Sequence, residues 1–210
     1  PLSGPWDFLN TYIVNIYPDT TCWVNDFQNA NNERYMKLYF SNPAYDDYPV
    51  VGVSWEQANA FCAWRTNFLM KGLGGYAKQI QRYRLPSEVE WEYAARGGSR
   101  SNGYMFAGSN DIDSVGWYMI NSYSTDHCVA QLMSNELGIY DMTGNVWEWC
   151  QDYYDVNQTM HVVKSGSWFD AATACRIDAR TGRAANYKSL IGLRLVLDIH
   201  QYVDLGLSVK

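Results

Sequence analysis

The residues with the widest chemical range in this sequence are five cysteines, because a thiolate attacks carbon, binds soft metals or closes a disulfide. They stand at Cys22, Cys62, Cys128, Cys150 and Cys175. They form no Cys-x-x-Cys pair, and their odd number leaves at least one thiol free. Small secreted disulfide scaffolds carry denser and even sets of cysteine. The spacing therefore favours buried structural thiols, with one disulfide as the alternative.

The three histidines, His127, His161 and His200, are too scattered for a catalytic or zinc cluster. Zinc sites need His and Cys ligands at short, regular spacings, and the sequence has none. A glycine-rich loop that would hold phosphate before a helix is also missing. By themselves, these side chains predict neither a catalytic centre nor a metal centre.

Composition limits the partners of the chain. Its 210 residues include 16 Lys and Arg against 22 Asp and Glu, a net charge of −6. The lack of a basic surface argues against nucleic acid and against a membrane-surface role. The sequence contains no run of about 18 apolar residues that would insert into a membrane. Because residue 1 is Pro, we expect a trimmed N-terminus, from which a leader or lipid anchor has been removed.

The first of two predicted helices follows a short apolar run at residues 49–53. Ser54 is its expected N-cap, Gln57 takes the reciprocal position of a capping box, and Gly72 ends it. Between these ends, apolar residues recur at helical spacing: Ala58, Phe61, Cys62, Phe68 and Leu69. We therefore expect a helix with one buried face.

The second predicted helix begins after Pro86, with Ser87 as N-cap and Glu90 completing its capping box. It ends at Gly97 and Gly98. Beyond it, residues 98–126 and 178–190 are rich in Asn, Asp, Ser and Gly, and residues 146–150 and 191–197 are β-prone. Two helices, short strands and much irregular loop indicate an α+β fold.

Four segments carry a family resemblance: residues 48–58 (YPVVGVSWEQA), 84–98 (RLPSEVEWEYAARGG), 135–149 (NELGIYDMTGNVWEW), and 165–168 (SGSW) continuing to 191–195 (IGLRL). Together they resemble the formylglycine-generating enzyme, or sulfatase-modifying factor, family over residues 45–197. The resemblance implies a C-type-lectin-like fold whose surface is shaped by loops.

The length favours a single domain over residues 1–210. Within it we expect residues 1–44 to pack on the domain as an N-terminal extension and residues 165–197 to form a C-terminal ligand-binding region. Residues 198–210 form a tail, which we expect to dock rather than to be loose, through its apolar residues: Ile199, Tyr202, Val203, Leu205 and Leu207.

Oxidases of this family bind copper through two C-terminal cysteines that precede an Ala-Ala-Arg-like sequence. Placing residues 178–180 (DAR) on that sequence puts Ala172 and Ile177 at the two cysteine positions, and neither side chain binds copper. Cys175 lies between them, but one thiolate supplies neither the ligand pair nor a partner for disulfide cycling. The sequence therefore predicts a protein that is not an enzyme, with a formylglycine-generating oxidase as a remote alternative.

The resemblance also brings calcium into question, because this fold often carries one near the Gly-Asn-x-Trp-Glu-Trp turn. Asp141, Asn145 and Glu148 would supply the oxygen ligands. In the alternative interpretation, Asp141 and Asn145 bond to backbone groups of the turn. We expect no other cofactor.

Residues 169–190 differ from the segments on either side. Those flanking segments match the family sequence, whereas residues 169–190 do not. The asparagine-rich sequence usual here is replaced by Ala, Thr, Asp, Ser, Gly, Tyr, Ile and Phe, which adenine-directed changes of Asn codons produce. The segment thus resembles the variable region of a diversity-generating retroelement protein, which binds a protein or cell-surface ligand. The alternative is ordinary drift in a loop that covers the core.

By this resemblance, nine exposed side chains are candidates for ligand contact: Phe169, Asp170, Thr173, Asp178, Thr181, Arg183, Asn186, Tyr187 and Ser189. Phe169 and Tyr187 are the expected aromatic anchors, and Arg183 the charged contact.

Residues 17–26 and 42–49 are similar to gliding-motility and secretion-associated lipoproteins of Bacteroidetes. This likeness implies a location at the cell surface or envelope, or on a phage particle. It also gives a second functional hypothesis, an envelope structural or assembly lipoprotein.

Overall fold

The computed structural model describes residues 15–26, 33–73 and 80–199. Four helices are present in these ranges: α1 (Cys22–Asp26), α2 (Glu33–Leu38), α3 (Trp55–Leu73) and α4 (Glu88–Ala95). The six strands are β1 (Ile80–Arg84), β2 (Trp147–Tyr153), β3 (Met160–Lys164), β4 (Thr181–Ala184), β5 (Ile191–Leu193) and β6 (Val196–Ile199). The predicted α+β class is confirmed. The prediction of two helices missed α1 and α2, which have only five and six residues and so show no apolar repeat.

Both predicted capping boxes are present. At the start of α3, the Ser54 amide donates to Gln57 Oε1 at 2.9 Å and the Gln57 amide donates to Ser54 Oγ at 3.2 Å. Ser87 and Glu90 make the same reciprocal pair at α4. Gly97 takes a left-handed conformation with φ of 86° just after α4, as a C-terminal glycine should.

The strands form two sheets. The larger has the order β4-β3-β2-β5, in which β2 and β5 are parallel and the other pairs antiparallel. The smaller consists of β1 and β6, antiparallel. The β-prone stretch 191–197 is therefore not one strand: it divides between the two sheets at Arg194, whose side chain turns to an ion pair with Glu148.

The first four residues of β2 are all buried. Trp147 and Trp149 pack on one side of the sheet with Cys62 of α3. Cys150 packs on the other side with Trp91 of α4. Both faces of β2 are therefore covered over residues 147–150, while Gln151 and Tyr153 are exposed.

The described part of the N-terminal extension packs on the domain. Trp23 of α1 and Tyr39 lie in one buried cluster with Val51, Val146 and Trp168. The described residues exclude 1–14, 27–32 and 200–210. Most of the tail residues that were predicted to dock are therefore outside the described part of the chain. Of that tail, residues 198 and 199 belong to β6.

All five cysteines are free thiols. Four are buried, and Cys128 is half-buried, so the prediction of buried structural thiols is confirmed and the disulfide alternative is wrong. Burial raises the pKa of Cys62 and of Cys175 to about 12, which keeps both protonated at neutral pH. Among the helices of the described ranges, none has the length and apolar character needed to cross a membrane.

Candidate ligand-binding surface

The turn at Gly144 and Asn145 fixes the framework of the surface. Both residues are left-handed, with φ of 71° and 62°. The Asn145 amide donates to Trp117 O at 2.7 Å, and its side chain bonds both backbone groups of His127. Asn145 O accepts from the Trp168 amide at 2.8 Å. One turn therefore holds the start of β2 and also the entrance to the C-terminal segment.

Between residues 169 and 190, the main chain of the C-terminal segment is held at intervals by hydrogen bonds to the framework. Their framework partners are Met119, Met105, Trp55, Gly52 and Trp147, which bond the backbones of residues 170, 177, 185, 188 and 190 at 2.9–3.1 Å. Such bonds use no side chain of the segment. Its path therefore does not depend on the identity of its exposed residues.

Five of the nine candidate side chains are exposed: Phe169, Thr173, Asp178, Asn186 and Tyr187. Two more, Thr181 and Arg183, are half-buried on β4. The prediction that Ser189 is exposed is wrong. It is buried because the backbones of its neighbours, Lys188 and Leu190, bond to the framework and draw the chain back into the core.

Asp170 is half-buried and serves the framework. Its Oδ2 accepts from Trp147 Nε1 at 2.8 Å and from the Ser167 amide at 3.1 Å, and also bonds the Ser167 hydroxyl. These contacts use Oδ2 within the protein, so Asp170 is half-buried rather than exposed, and its contact with a ligand stays a prediction. It is a positioning residue for the segment entrance.

The remaining candidates form two groups with different neighbours. Phe169 lies between Trp168 and Asp170, whose carbonyls bond the loop of residues 118–124. In the group 178–187, Arg180 contacts Glu88 at the start of α4 and Tyr154 just after β2. In the second group, the guanidinium of Arg183 lies 5.3 Å from the centre of the Tyr187 ring. Arg180 stands over Tyr154 at 4.6 Å and pairs with Glu88.

Sequence reasoning missed the 118–124 loop as part of this surface. Ile120 and Tyr123 are 77% and 87% exposed, and Met119 bonds through its amide to Asp170 O. Ser122 Oγ donates to Trp168 O at 2.9 Å, which fixes the loop beside the segment. The sequence signal that could have indicated this loop is its apolar side chains, which stand in a stretch whose other residues are typical of a polar loop.

Most side-chain oxygens of the three calcium candidates already have protein partners. Glu148 uses both oxygens to accept from Arg194, and Oε2 also accepts from Trp91. Asp141 Oδ2 accepts from the Ala130 amide at 2.7 Å, and Asn145 is engaged by the backbone at residue 127. Calcium needs six to eight oxygen ligands, and this set offers few free ones. The calcium expectation stays a prediction.

The positions assigned to the oxidase cysteines lie in and beside the core. Ile177 is buried next to Trp91, and Ala172 packs half-buried in a cluster with Cys175. Cys175 has a protonated thiol, for which burial is the main cause. Within the described ranges, no three His, Cys, Asp or Glu side chains come together to hold a metal.

The fold and its surface define a class, an α+β domain of the C-type-lectin-like type with a loop-shaped face. The chain belongs to the family described as the sulfatase-modifying factor enzyme 1-like domain, whose match extends over residues 10–199.

Its relatives include proteins that are named as an enzyme, as an inactive enzyme and as a chaperone. The chaperone protein LppX of Paenibacillus barcinonensis is 27% identical, over 77% of this chain and 76% of its own length. The inactive C-alpha-formylglycine-generating enzyme 2 of Bos taurus is 31% identical over 68% of this chain. The formylglycine-generating enzyme of Bos taurus is 28% identical over 54%. The chain spans 48% of the inactive relative and 29% of the enzyme.

Among solved structures, Treponema denticola variable protein 1 is similar to this chain with a TM-score of 0.63 and 25% identity. The match covers 74% of this chain and 73% of that protein. It confirms the C-type-lectin-like fold that the sequence resemblance implied.

Proposed function

We propose that this chain is a non-catalytic binding protein whose ligand surface is formed by exposed side chains of residues 169–187. We further propose that it is a variable protein of a diversity-generating retroelement. The likeness to Treponema denticola variable protein 1 supports this function.

The carrying observation is that the main chain of the segment is held by backbone bonds while Phe169, Thr173, Asp178, Asn186 and Tyr187 remain exposed. A fixed main chain lowers the ordering cost of binding whatever side chains it presents. Antibody loops use the same separation of framework and exchangeable side chains. In this proposal Phe169 and Tyr187 are the aromatic anchors, and the ligand is a protein or another cell-surface molecule.

The proposal of a non-catalytic protein is supported by the inactive relative and by the residues at positions 172 and 177. Neither Ala172 nor Ile177 supplies a thiolate, and Cys175 is buried and protonated. We expect the purified chain to take up no stoichiometric Cu(I) and to leave the cysteine of a sulfatase-type peptide unchanged. Conversion of that peptide to the aldehyde would contradict this part of the proposal.

The retroelement proposal is tested by sequencing the gene and its flanks from many cells of the source population. We expect differences at adenine-templated codons within residues 169–190, a near-copy repeat nearby and a reverse-transcriptase gene. A uniform segment without the repeat would overturn the proposal.

A second candidate function is an assembly role in the cell envelope, which the similarity to the chaperone LppX favours. It predicts one fixed partner and a uniform segment. Under this alternative, the chain should recover the same envelope protein from every isolate of the source. Exchanging Phe169 and Tyr187 together for Ser should abolish that recovery. Under the first proposal, recovered ligands would differ with the segment.

A further inference from the structure

The loop of residues 118–124 turns a polar side chain inward and large apolar side chains outward. Ser122 is completely buried, whereas its near neighbours Ile120 and Tyr123 are 77% and 87% exposed. Met119 is exposed as well. The hydrophobic effect opposes this arrangement, because apolar area that stays in water contributes nothing to folding. Large apolar side chains exposed side by side mark a surface at which another molecule binds.

Hydrogen bonds within the protein hold this loop in place. The Asn121 side chain accepts from the Tyr118 amide at 2.9 Å and donates to Gly116 O at 3.0 Å. Ser122 O lies 2.8 Å from Nε2 of the His127 ring. The backbone that carries the exposed side chains is therefore ordered in the free protein, which lowers the entropy cost of binding.

The loop and the C-terminal segment form one continuous surface at Phe169. Ser122 Oγ donates to Trp168 O at 2.9 Å, and the Met119 amide donates to Asp170 O at 3.0 Å. Phe169 is itself exposed and stands in the chain between these two points of attachment. A ligand that covers Phe169 therefore also meets the loop.

Tyr123 occupies a backbone conformation that suits a smaller residue. Its φ is 55°, and that of Ser124 is 60°. A bulky residue is an outlier in this left-handed region, which glycine adopts without steric cost. Because the Tyr123 ring is almost fully exposed, its packing does not compensate the fold for that conformation. Strain of this kind concentrates at binding sites, which agrees with a contact outside the chain.

Acidic side chains lie beside the exposed loop. Asp113 Oδ1 is 3.5 Å from the Asn121 amide nitrogen, and Asp111 accepts from the Asp113 backbone. Both carboxylates are exposed. Residues 101–163 contain no Lys or Arg that would offset these charges from within the same stretch. Such an edge attracts cationic side chains and repels the phosphates of nucleic acids and of anionic lipids.

We infer that the ligand of the proposed surface is a protein that presents an apolar patch flanked by Lys or Arg. Ile120 and Tyr123 cover the apolar patch, and Asp111 and Asp113 face the cations. A glycan fits less well, because aliphatic side chains cannot bond its hydroxyl groups, and unpaired polar groups are costly to bury. The inference rests on the proposed function of residues 169–187. Since the loop lies outside that segment, its contact stays constant while the segment determines which protein is bound.

Selection from a phage-displayed library of random dodecapeptides on the full chain tests this inference. We expect the enriched peptides to combine large apolar residues with Lys or Arg, and to bind as synthetic peptides in fluorescence anisotropy. Replacing their Lys and Arg by Glu should weaken binding about ten-fold or more. A glycan array is the second arm of the test. Enrichment of peptides that lack apolar residues, or glycan binding that depends on Ile120 and Tyr123, would overturn the inference.

Tyr123→Gly separates a binding role from a structural one. It removes the ring and keeps the left-handed backbone, so the midpoint of thermal unfolding should not fall, whereas peptide affinity should fall about five-fold or more. Ile120→Ser should weaken the same peptides by a similar factor. Val156→Ser is the matched control, because Val156 is 97% exposed but belongs neither to the loop nor to the segment. Unchanged peptide affinity in Tyr123→Gly with a lower thermal midpoint would assign the ring to the fold and overturn the inference.

A chain with Asn186 and Tyr187 both exchanged for Ser tells the two proposals apart. We expect it to enrich different peptides, which are still apolar and cationic and still need Tyr123. If the same peptides return, the proposed function of the segment fails while the loop contact stands. If different peptides return but bind equally well without Ile120 and Tyr123, the loop inference fails alone.

Discussion

Main-chain hydrogen bonds hold both the turn at residues 144–145 and the segment 169–187. The two regions differ in whether their side chains take part in that bonding. In the turn, the Asn145 side chain completes the backbone bonding and is itself buried. In the segment, Phe169 and Asn186 leave the backbone bonds untouched and face solvent. The comparison shows that side chains complete the backbone bonding in one region, whereas in the other the backbone bonds leave side chains exposed.

The largest effect we expect is at Gly144. A Cβ there would lie 2.1 Å from Trp117 O, and φ is already left-handed. Gly144→Ala should therefore lower the free energy of unfolding by about 3 kcal/mol or more, measured by urea denaturation. Gly138→Ala is the control, since it shares the positive φ but meets no atom within 4 Å. It should cost about 1 kcal/mol. Equal losses would mean that the turn has no special role.

The next contrast is between a framework ion pair and one in the segment. Glu148→Gln leaves Arg194 without its counter-ion, and the two side chains are only 7% and 29% exposed. We expect a loss of about 2–3 kcal/mol, at or below the low end for buried pairs because Arg194 keeps some contact with water. Asp178→Asn removes the exposed pair with Arg176 and should not shift the urea midpoint measurably. A comparable loss at Asp178 would place the segment inside the stabilising framework.

The two regions should also respond oppositely to pH. Burial raises the pKa of Asp126 to about 6, so its folded form binds a proton more tightly than the unfolded chain. Its contribution is fully present below the usual aspartate pKa and is lost as pH rises through 6. Hydrogen bonding and charge from Arg176 lower the pKa of Asp178. Its stabilising contribution to folding is therefore present above the usual aspartate pKa and is lost as pH falls below that pKa.

Asp126→Asn should therefore gain stability relative to the natural chain between pH 4.5 and 7.5, by about 2 kcal/mol. Asparagine still accepts from the Tyr39 hydroxyl, which bonds Asp126. Urea unfolding at the two pH values measures the difference. Asp178→Asn should show no such change over this range, and a flat profile for Asp126→Asn would contradict the assigned burial.

The smallest effect should come from the exposed segment. Phe169→Ser and Asn186→Ser should each change the free energy of unfolding by no more than about 0.5 kcal/mol in thermal or urea unfolding. Ile177→Ser, in the same segment but buried, should cost several times as much. Large losses at the exposed positions would remove the contrast on which the proposed function depends.

The parts of the fold that could be predicted from sequence are those determined by residues close together in the chain. The capping boxes at Ser54 and Ser87 need only a residue three positions away, and both were correct. The helices α1 and α2 could not be predicted, because so short a helix depends on tertiary packing.

The candidate site shows the same limit. The exposure of Phe169 and Tyr187 followed from their place between two family anchors. The role of Asp170 did not, because its partner Trp147 lies 23 residues away. Ser189 was misplaced because the return of the chain to the core is set by backbone bonds to distant residues.

The pairing of β6 with β1 bears on how the chain folds as it is synthesised. Arg84 and its partner Asp198 are 114 residues apart, so β1 leaves the ribosome long before its partner strand exists. A chain that stops within residues 169–187 lacks both β5 and β6 and completes neither sheet. Both sheets can therefore be completed only after residues 191–199 have been synthesised.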